Sequence, residues 1–203
     1  ISYAITVCNE FLEIQRLINF LLTNKRSEDE IVVLYDSKNG DLEVEAYLQN
    51  RFINNEITWH KAEFQGHFAD WKNKLTSFCS GDYIFQIDAD EIPSDYLIEN
   101  IKEFIEYNKY VDLFFVPRVN TVEGLTKEHI KKWKWQVSES GWVNFPDYQG
   151  RVYRKKMSWY GRVHERIIGG EYFSTLPTDD VYCIQHHKTI DKQEKQNNFY
   201  SSI

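Results

Sequence analysis

Cysteine is scarce in this 203-residue chain. Cys8, Cys79 and Cys183 lie far apart, and no C-x-x-C pair occurs. An odd, scattered set excludes a disulfide framework and fits buried, reduced thiols in a reducing compartment, so the expected location is cytoplasmic. Proline and glycine are few, at four and nine. No stretch rich in Pro, Gly or Ser marks a linker, and no repeat or low-complexity tract appears, which leaves a single domain over 1–203. No apolar run is long enough to span a bilayer, and no secretory signal is expected. Basic residues are in deficit, 24 Lys and Arg against 31 Asp and Glu, for a net charge of −7. That balance excludes nucleic-acid binding through a broad basic face.

What the chain does have is apolar and aromatic mass, 42% and 16% of its residues. This is enough for one sizeable core. Tyr3–Val7 and Ile31–Tyr35 read as strands, as do Ile57–His60, Tyr83–Ile87 and Leu113–Val119. Between them lie helical spacings. Phe11, Ile14, Leu17, Ile18 and Leu21 share one face behind Asn9, a candidate cap, and Leu42–Phe52 follows the turn DSKNGD. Phe68, Trp71, Leu75 and Phe78 mark a third helix, and Pro93-Ser94 opens a fourth. Repeated β-α-β order predicts a mostly parallel sheet with helices on both faces, an α/β domain. About 1–120 forms its regular half. After Asn120 the regularity fades. Thr121–Trp135 is a charged helix or loop, and Val152–Tyr153, Arg162–Ile168 and Val181–Gln185 are short strands. Residues 191–203 form a polar helical tail.

The motif that carries chemistry is GDYIFQIDADE, Gly81–Glu91. A buried strand ends on Asp88-Ala89-Asp90. In open α/β sheets ligands bind beyond the carboxyl ends of strands, and two hard oxygens there suit a divalent cation with a phosphate-bearing substrate. The plain alternative is a pair of solvated aspartates before a helix. Asp36 also ends a buried strand. It can accept an N–H from a uracil or guanine edge, or simply open an Asx-turn. Glu10 stands at a helix N-terminus, where anions are favoured, which suits it to a neutral sugar or base edge.

The later half offers His164-Glu165, with Glu165 either a general base between apolar positions Val163 and Ile167 or a surface partner of Arg162 or Arg166. Asp147 is the second choice of base. His186-His187 follows a strand. Their side chains point to opposite faces, so at most one can join Asp90 at a metal. Arg151 and Arg154 can neutralise a diphosphate, while Lys155 and Lys156 read as a solvated edge. Trp133, Trp135, Trp142 and Trp159 either stack on sugar rings or serve the core.

In chain order, Thr6-Val7-Cys8-Asn9-Glu10, Asp36, Lys72-Asn73, GDYIFQIDADE, QGRVYRK, GRVHERIIGG and IQHHKT resemble a family-2 glycosyltransferase of the GT-A fold. The resemblance covers nearly the whole chain. It implies that Thr6, Glu10 and Asp36 hold the nucleoside, and that Asp88, Ala89 and Asp90 meet the ribose, metal and diphosphate. Lys72, Asn73 and Arg151 are also placed at the nucleotide sugar. Glu165 falls on the acceptor side as catalytic base, and His186 matches a late metal-binding histidine beside Asp88 and Asp90. The implied cofactor is Mn²⁺ or Mg²⁺. The implied partners are a nucleotide-diphosphate sugar, UDP-sugar favoured, and a carbohydrate or other hydroxyl acceptor, with transfer by inversion. Two rivals stand beside it. One is a non-catalytic nucleotide-sugar-binding module. The other is a D-x-D phosphatase, for which Ile92 sits where Thr or Val is wanted.

Overall fold

The computed structural model describes residues 1–162 and 164–200, the last three of these as backbone only. Val163 and residues 201–203, the end of the expected tail, lie outside it. The first half is built as the sequence spacing predicts. Strand β1 (Ser2–Val7) leads to α1 (Phe11–Asn24), β2 (Glu30–Asp36) to α2 (Leu42–Ile53), and β3 (Thr58–Ala62) to α3 (Phe68–Phe78). Strand β4 (Tyr83–Asp88) follows, then a three-residue strand β5 (Glu91–Pro93) and α4 (Asp95–Tyr107). The Ser94 hydroxyl caps α4 by accepting from Leu97 N. At α1 the cap differs from expectation. Glu10, not Asn9, occupies the N-cap, and no side chain caps the helix. The Glu10 carboxylate instead folds back to accept from Cys8 N and Asn9 N.

The second half departs further. Strand β6 runs Leu113–Glu123, past the expected end at Val119, and α5 is confined to Lys127–Trp133. Strand β7 runs Val143–Arg154, where sequence spacing suggests only Val152–Tyr153. Short strands β8 (Ser158–Tyr160), β9 (Arg166–Ile168) and β10 (Phe173–Thr175) precede β11 (Ile184–Thr189) and α6 (Ile190–Tyr200). Residues 180–182 form a 3₁₀ turn rather than the start of a strand.

Among the described residues, nine strands make one mixed sheet in the order β3-β2-β1-β4-β7-β6-β11-β5, with β10 on β6, and β8 pairs β9 separately. The pairs β1–β2, β2–β3, β1–β4 and β6–β11 are parallel, while β7 runs antiparallel to both β4 and β6. Helices cover both faces. Tyr3, Ile5 and Val7 of β1 meet α1, α2 and α4 on one side. Ala4, Val32 and Leu34 meet Ala69, Trp71 and Leu75 of α3 on the other. This alternation along β1 and β2 is the period-two rule for a sheet buried on both faces. No helix among the described residues is long and apolar enough to cross a membrane.

Candidate functional site

A cleft of about 1050 Å³ opens at the carboxyl ends of β1, β2 and β4 and runs across to β6, β7 and β11. Ten of the eleven residues to which the family resemblance assigns a role line it: Thr6, Glu10, Asp36, Lys72, Asp88, Ala89, Asp90, Arg151, Glu165 and His186. Asn73 stands apart. Its amide donates to the Trp159 carbonyl at 2.9 Å and accepts from Trp159 N at 2.7 Å, so it pins β8 to α3.

On the donor side, Thr6 lies level with Asp88 across the β1–β4 pair. Asp36 is buried and folds the turn after β2. Its Oδ1 accepts from Lys38 N and Phe64 N, and its Oδ2 from Asn39 Nδ2 at 2.8 Å. Gly40 closes that turn, since a Cβ there would sit 2.5 Å from the Asp36 carbonyl oxygen. The Asx-turn reading therefore describes Asp36 correctly. The Cys8 thiol also reaches Oδ2, at 3.9 Å. A carboxylate has about four lone-pair sites, and this weak fourth contact is the one a ligand N–H in the cleft can displace. Cys8 is half-buried rather than buried. Its thiol is pushed up to about 12 by burial and by Glu10 and Asp36.

Asp88 and Asp90 have different neighbours. Asp88 Oδ2 accepts from Arg151 Nη2 at 2.8 Å. Burial opposes its charge, but the Arg151 and Lys72 cations outweigh that and hold the carboxyl well below its usual range. Asp90 Oδ2 lies 3.5 Å from His186 Nε2 and 3.3 Å from Lys192 Nζ. It too is held far down: burial is the largest single effect and opposes the charge, but His186, Lys192 and Lys188 together outweigh it. His186 Nδ1 meets Asn120 Oδ1 at 2.7 Å, which fixes the ring. His187 points the other way, exposed beside Thr121 and Glu123, as the alternation requires.

The expected metal set thus converges only in part. The Asp90 oxygen and His186 nitrogen face one point, while Asp88 turns to Arg151. Among the described residues no group of three His, Cys, Asp or Glu gathers for an ion. An oxygen and an imidazole nitrogen 3.5 Å apart still fit two sites of a Mn²⁺ or Mg²⁺ shell. Phosphate oxygens and water complete such shells.

Glu91, buried at 0% exposure, joins the two halves. Its Oε1 accepts from Arg151 Nη2 at 2.5 Å and from Arg118 Nη1 at 2.9 Å, and its Oε2 from Asp88 N at 3.1 Å. Arg118 continues to Asp147 Oδ2 with two N–H bonds, of 3.0 and 2.7 Å. Asn120 and Gln149 also donate to Asp147. Burial pushes Asp147 up, but Arg118 and these donors leave it below its usual range.

Glu165 does not pair with Arg162 or Arg166, as its surface reading required. Its Oε1 receives Lys72 Nζ at 2.5 Å, and that ammonium also lies 4.3 Å from the Trp159 ring centre. It precedes β9 rather than sitting within a strand, on a loop where His164 holds a left-handed φ of 53°. Val163, its expected apolar neighbour, lies outside the described residues. Trp159 is buried, Trp135 lines the cleft, and Trp133 packs on Trp135 and His129. Arg154 and Lys156 bind Asp112 away from the cleft.

Sequence reasoning missed Arg118, Asn120, Glu91, Lys188 and Lys192. Lys188 had a visible signal. Ile184, His186 and Lys188 alternate inward along β11.

The family model described as "Glycosyl transferase family 2" matches residues 2–182. No curated protein matches the chain. Among solved structures, S. aureus TarS 1–349 is similar at 15% identity with a TM-score of 0.60, over 92% of this chain and 60% of that one. A longer S. aureus TarS chain is similar at 13% identity and a TM-score of 0.61, over 97% of this chain and 38% of that one. The 1–349 form in complex with UDP-GlcNAc gives 15% identity, a TM-score of 0.60 and coverage of 92% and 58%. The chain therefore spans less than two thirds of these TarS chains.

Proposed function

The chain belongs to glycosyl transferase family 2, and on that premise we propose that it moves a sugar from a nucleotide diphosphate, UDP favoured, to a hydroxyl acceptor with inversion. The observation that carries this is that Asp88, Asp90, His186 and Glu165 line one cleft, with Asp90 and His186 3.5 Å apart. The likeness to TarS in complex with UDP and with UDP-GlcNAc supports the donor class.

Asp36, Glu10 and Thr6 hold the nucleoside end. Asp36 Oδ2 accepts the ring N–H of uracil, which cytosine lacks at that position. Asp90 and His186 would hold the divalent ion, Mn²⁺ or Mg²⁺, which when bound takes up charge on the diphosphate. Arg151 keeps Asp88 ionised and fixed at the β4 end. The acceptor oxygen attacks the anomeric carbon opposite the diphosphate. Its proton passes to a Glu165 oxygen, and the electron pair of the broken C–O bond leaves on the diphosphate. Lys72 holds the Glu165 carboxylate in place. Asp147 is the poorer base, because four donor bonds already occupy it. Base assistance of this kind contributes about 10²–10⁴-fold.

The test is a calorimetric titration of UDP and CDP with Mn²⁺ or with EDTA, beside UDP release from a panel of UDP-sugars. UDP should bind more tightly than CDP, and Asp36→Ala should narrow the gap. Equal affinity in the unaltered protein removes the Asp36 assignment. Full turnover after thorough chelation removes the metal.

A further inference from the structure

Lys72, Arg151 and Lys188 are the lysine and arginine side chains buried among the described residues, and all three line the cleft. Two have carboxylate partners. Lys72 meets Glu165 at 2.5 Å, and Arg151 meets Asp88 and Glu91 at 2.8 and 2.5 Å. Lys188 is 8% exposed, and its hydrogen-bond acceptor is the neutral amide oxygen Gln196 Oε1 at 2.5 Å. Among the described residues no carboxylate lies within ion-pair distance of it. Asp90, the acid nearest in function, is taken by His186 and Lys192.

A buried cation without a counter-charge costs free energy unless something neutralises it. Here the fold brings no carboxylate into contact with the ammonium; Asp90 and Asp88 act on it only from further off, and burial outweighs them. Strand β11 aims it inward on the same face as His186, into a cleft open to solvent.

We propose that Lys188 is a diphosphate-binding residue, its counter-charge being the leaving diphosphate of the donor. The proposal rests on the nucleotide-sugar reading and adds to it a cation that acts whether or not a metal is present. Lys192, held between Asp90 and Glu13 at 3.3 and 3.2 Å, is already neutralised and does not share this role.

Such a residue carries a signature that a structural lysine does not. Removing its charge should leave the empty protein as stable or more stable, yet weaken binding of diphosphate. The experiment uses the full chain with Lys188→Met and, as a second variant, Lys188→Gln. Melting temperatures are measured without ligand. Titrations with inorganic pyrophosphate, UDP and uridine are run in EDTA and again in Mn²⁺.

Both variants should melt at or above the unaltered protein. Each should bind pyrophosphate and UDP about tenfold or more weakly in both series, as expected for loss of a charge-assisted bond, and bind uridine equally well. Pyrophosphate and UDP affinity within twofold of the unaltered protein would overturn the proposal while leaving the donor reading intact. So would a clear fall in melting temperature for both variants, since the ammonium would then be satisfied within the fold. An unaltered protein that binds neither pyrophosphate nor UDP would overturn the proposal together with the donor reading.

Discussion

The two halves of the sheet deliver their chemistry in different ways. In β3-β2-β1-β4, parallel strands are joined by local helices, and the reactive groups stand where strands end: Glu10, Asp36, Asp88 and Asp90. In β7-β6-β11-β5, strands are long or reversed, and the groups stand inside them: Arg118, Asn120, Asp147, Arg151, His186 and Lys188. A strand end opens into a loop, so neighbouring residues reach the cleft together, as in Asp88, Ala89 and Asp90. A strand interior is a row, so every second residue reaches it, as in His186 and Lys188 or Arg118 and Asn120. The first half thus offers acceptor oxygens for base, ribose or ion. The second half offers cations and amides, with Asp147 and Glu165 as its carboxylates.

Four substitutions break or sharpen this contrast, the largest effect first. Glu165→Gln keeps size and hydrogen bonding but removes the base of the second half. Transfer should fall roughly 10²–10⁴-fold, about 3–5 kcal/mol of barrier, with UDP affinity nearly unchanged. Single-turnover kinetics beside calorimetry checks it, and near-normal transfer would send the search to Asp147.

Glu91→Gln strikes the seam between halves. It leaves Arg118 and Arg151 buried against one charge fewer, and loss of one partner in a buried pair costs about 3–5 kcal/mol. A urea melt should show that loss. A change below about 1 kcal/mol would mean the two guanidinium groups find other acceptors.

Asp90→Asn weakens the first half alone. Transfer should fall on the order of 10²–10³-fold, and the gain in UDP affinity on adding Mn²⁺ should vanish, while circular dichroism stays native. Unchanged metal response would place the ion elsewhere.

The smallest effect lies outside the cleft. Asp112 accepts from Glu171 N and Tyr172 N and meets Arg154 and Lys156. These backbone bonds, with the Lys156 ammonium, lower it to about 2. A depressed carboxyl contributes stability that is fully present above its unfolded value, near 3.9, and lost as pH falls toward the folded one. Solvent screening keeps the size to about 1 kcal/mol or less. Melting curves between about pH 4 and pH 2 should therefore steepen less for Asp112→Asn. Identical curves would remove Asp112 from the acid response.

Legibility in the sequence divides along the same line. The β-α-β half could be read because each strand, turn and helix is contiguous. DADE needed only the apolar run before it and the helix after it. His186 could be found from its strand and from the family resemblance. The length of β7 could not, because Asn144, Pro146, Asp147 and Gly150 argue against a strand. Pairing with β6 along nearly its whole length overrides that preference. The partners of Arg151 were also hidden, since Asp88 and Glu91 lie 63 and 60 residues away along the chain. Asn9 does not cap because the helix starts one residue later than its position requires, with Glu10 at the N-cap and its carboxylate turned back to Cys8 N and Asn9 N.

The row Asp88, Arg151, Glu91, Arg118 and Asp147 alternates in sign from one side of the cleft to the other. Each member is neutralised by the next, so the effects of replacing them are strongly non-additive. For inheritance this acts as a ratchet. Loss of Glu91 or of either arginine leaves a buried charge short of a partner and costs the fold itself, and only concerted exchange of neighbours avoids that loss. A descendant that no longer needed the chemistry would still keep Glu91, Arg118 and Arg151, because the buried middle of the row holds the fold.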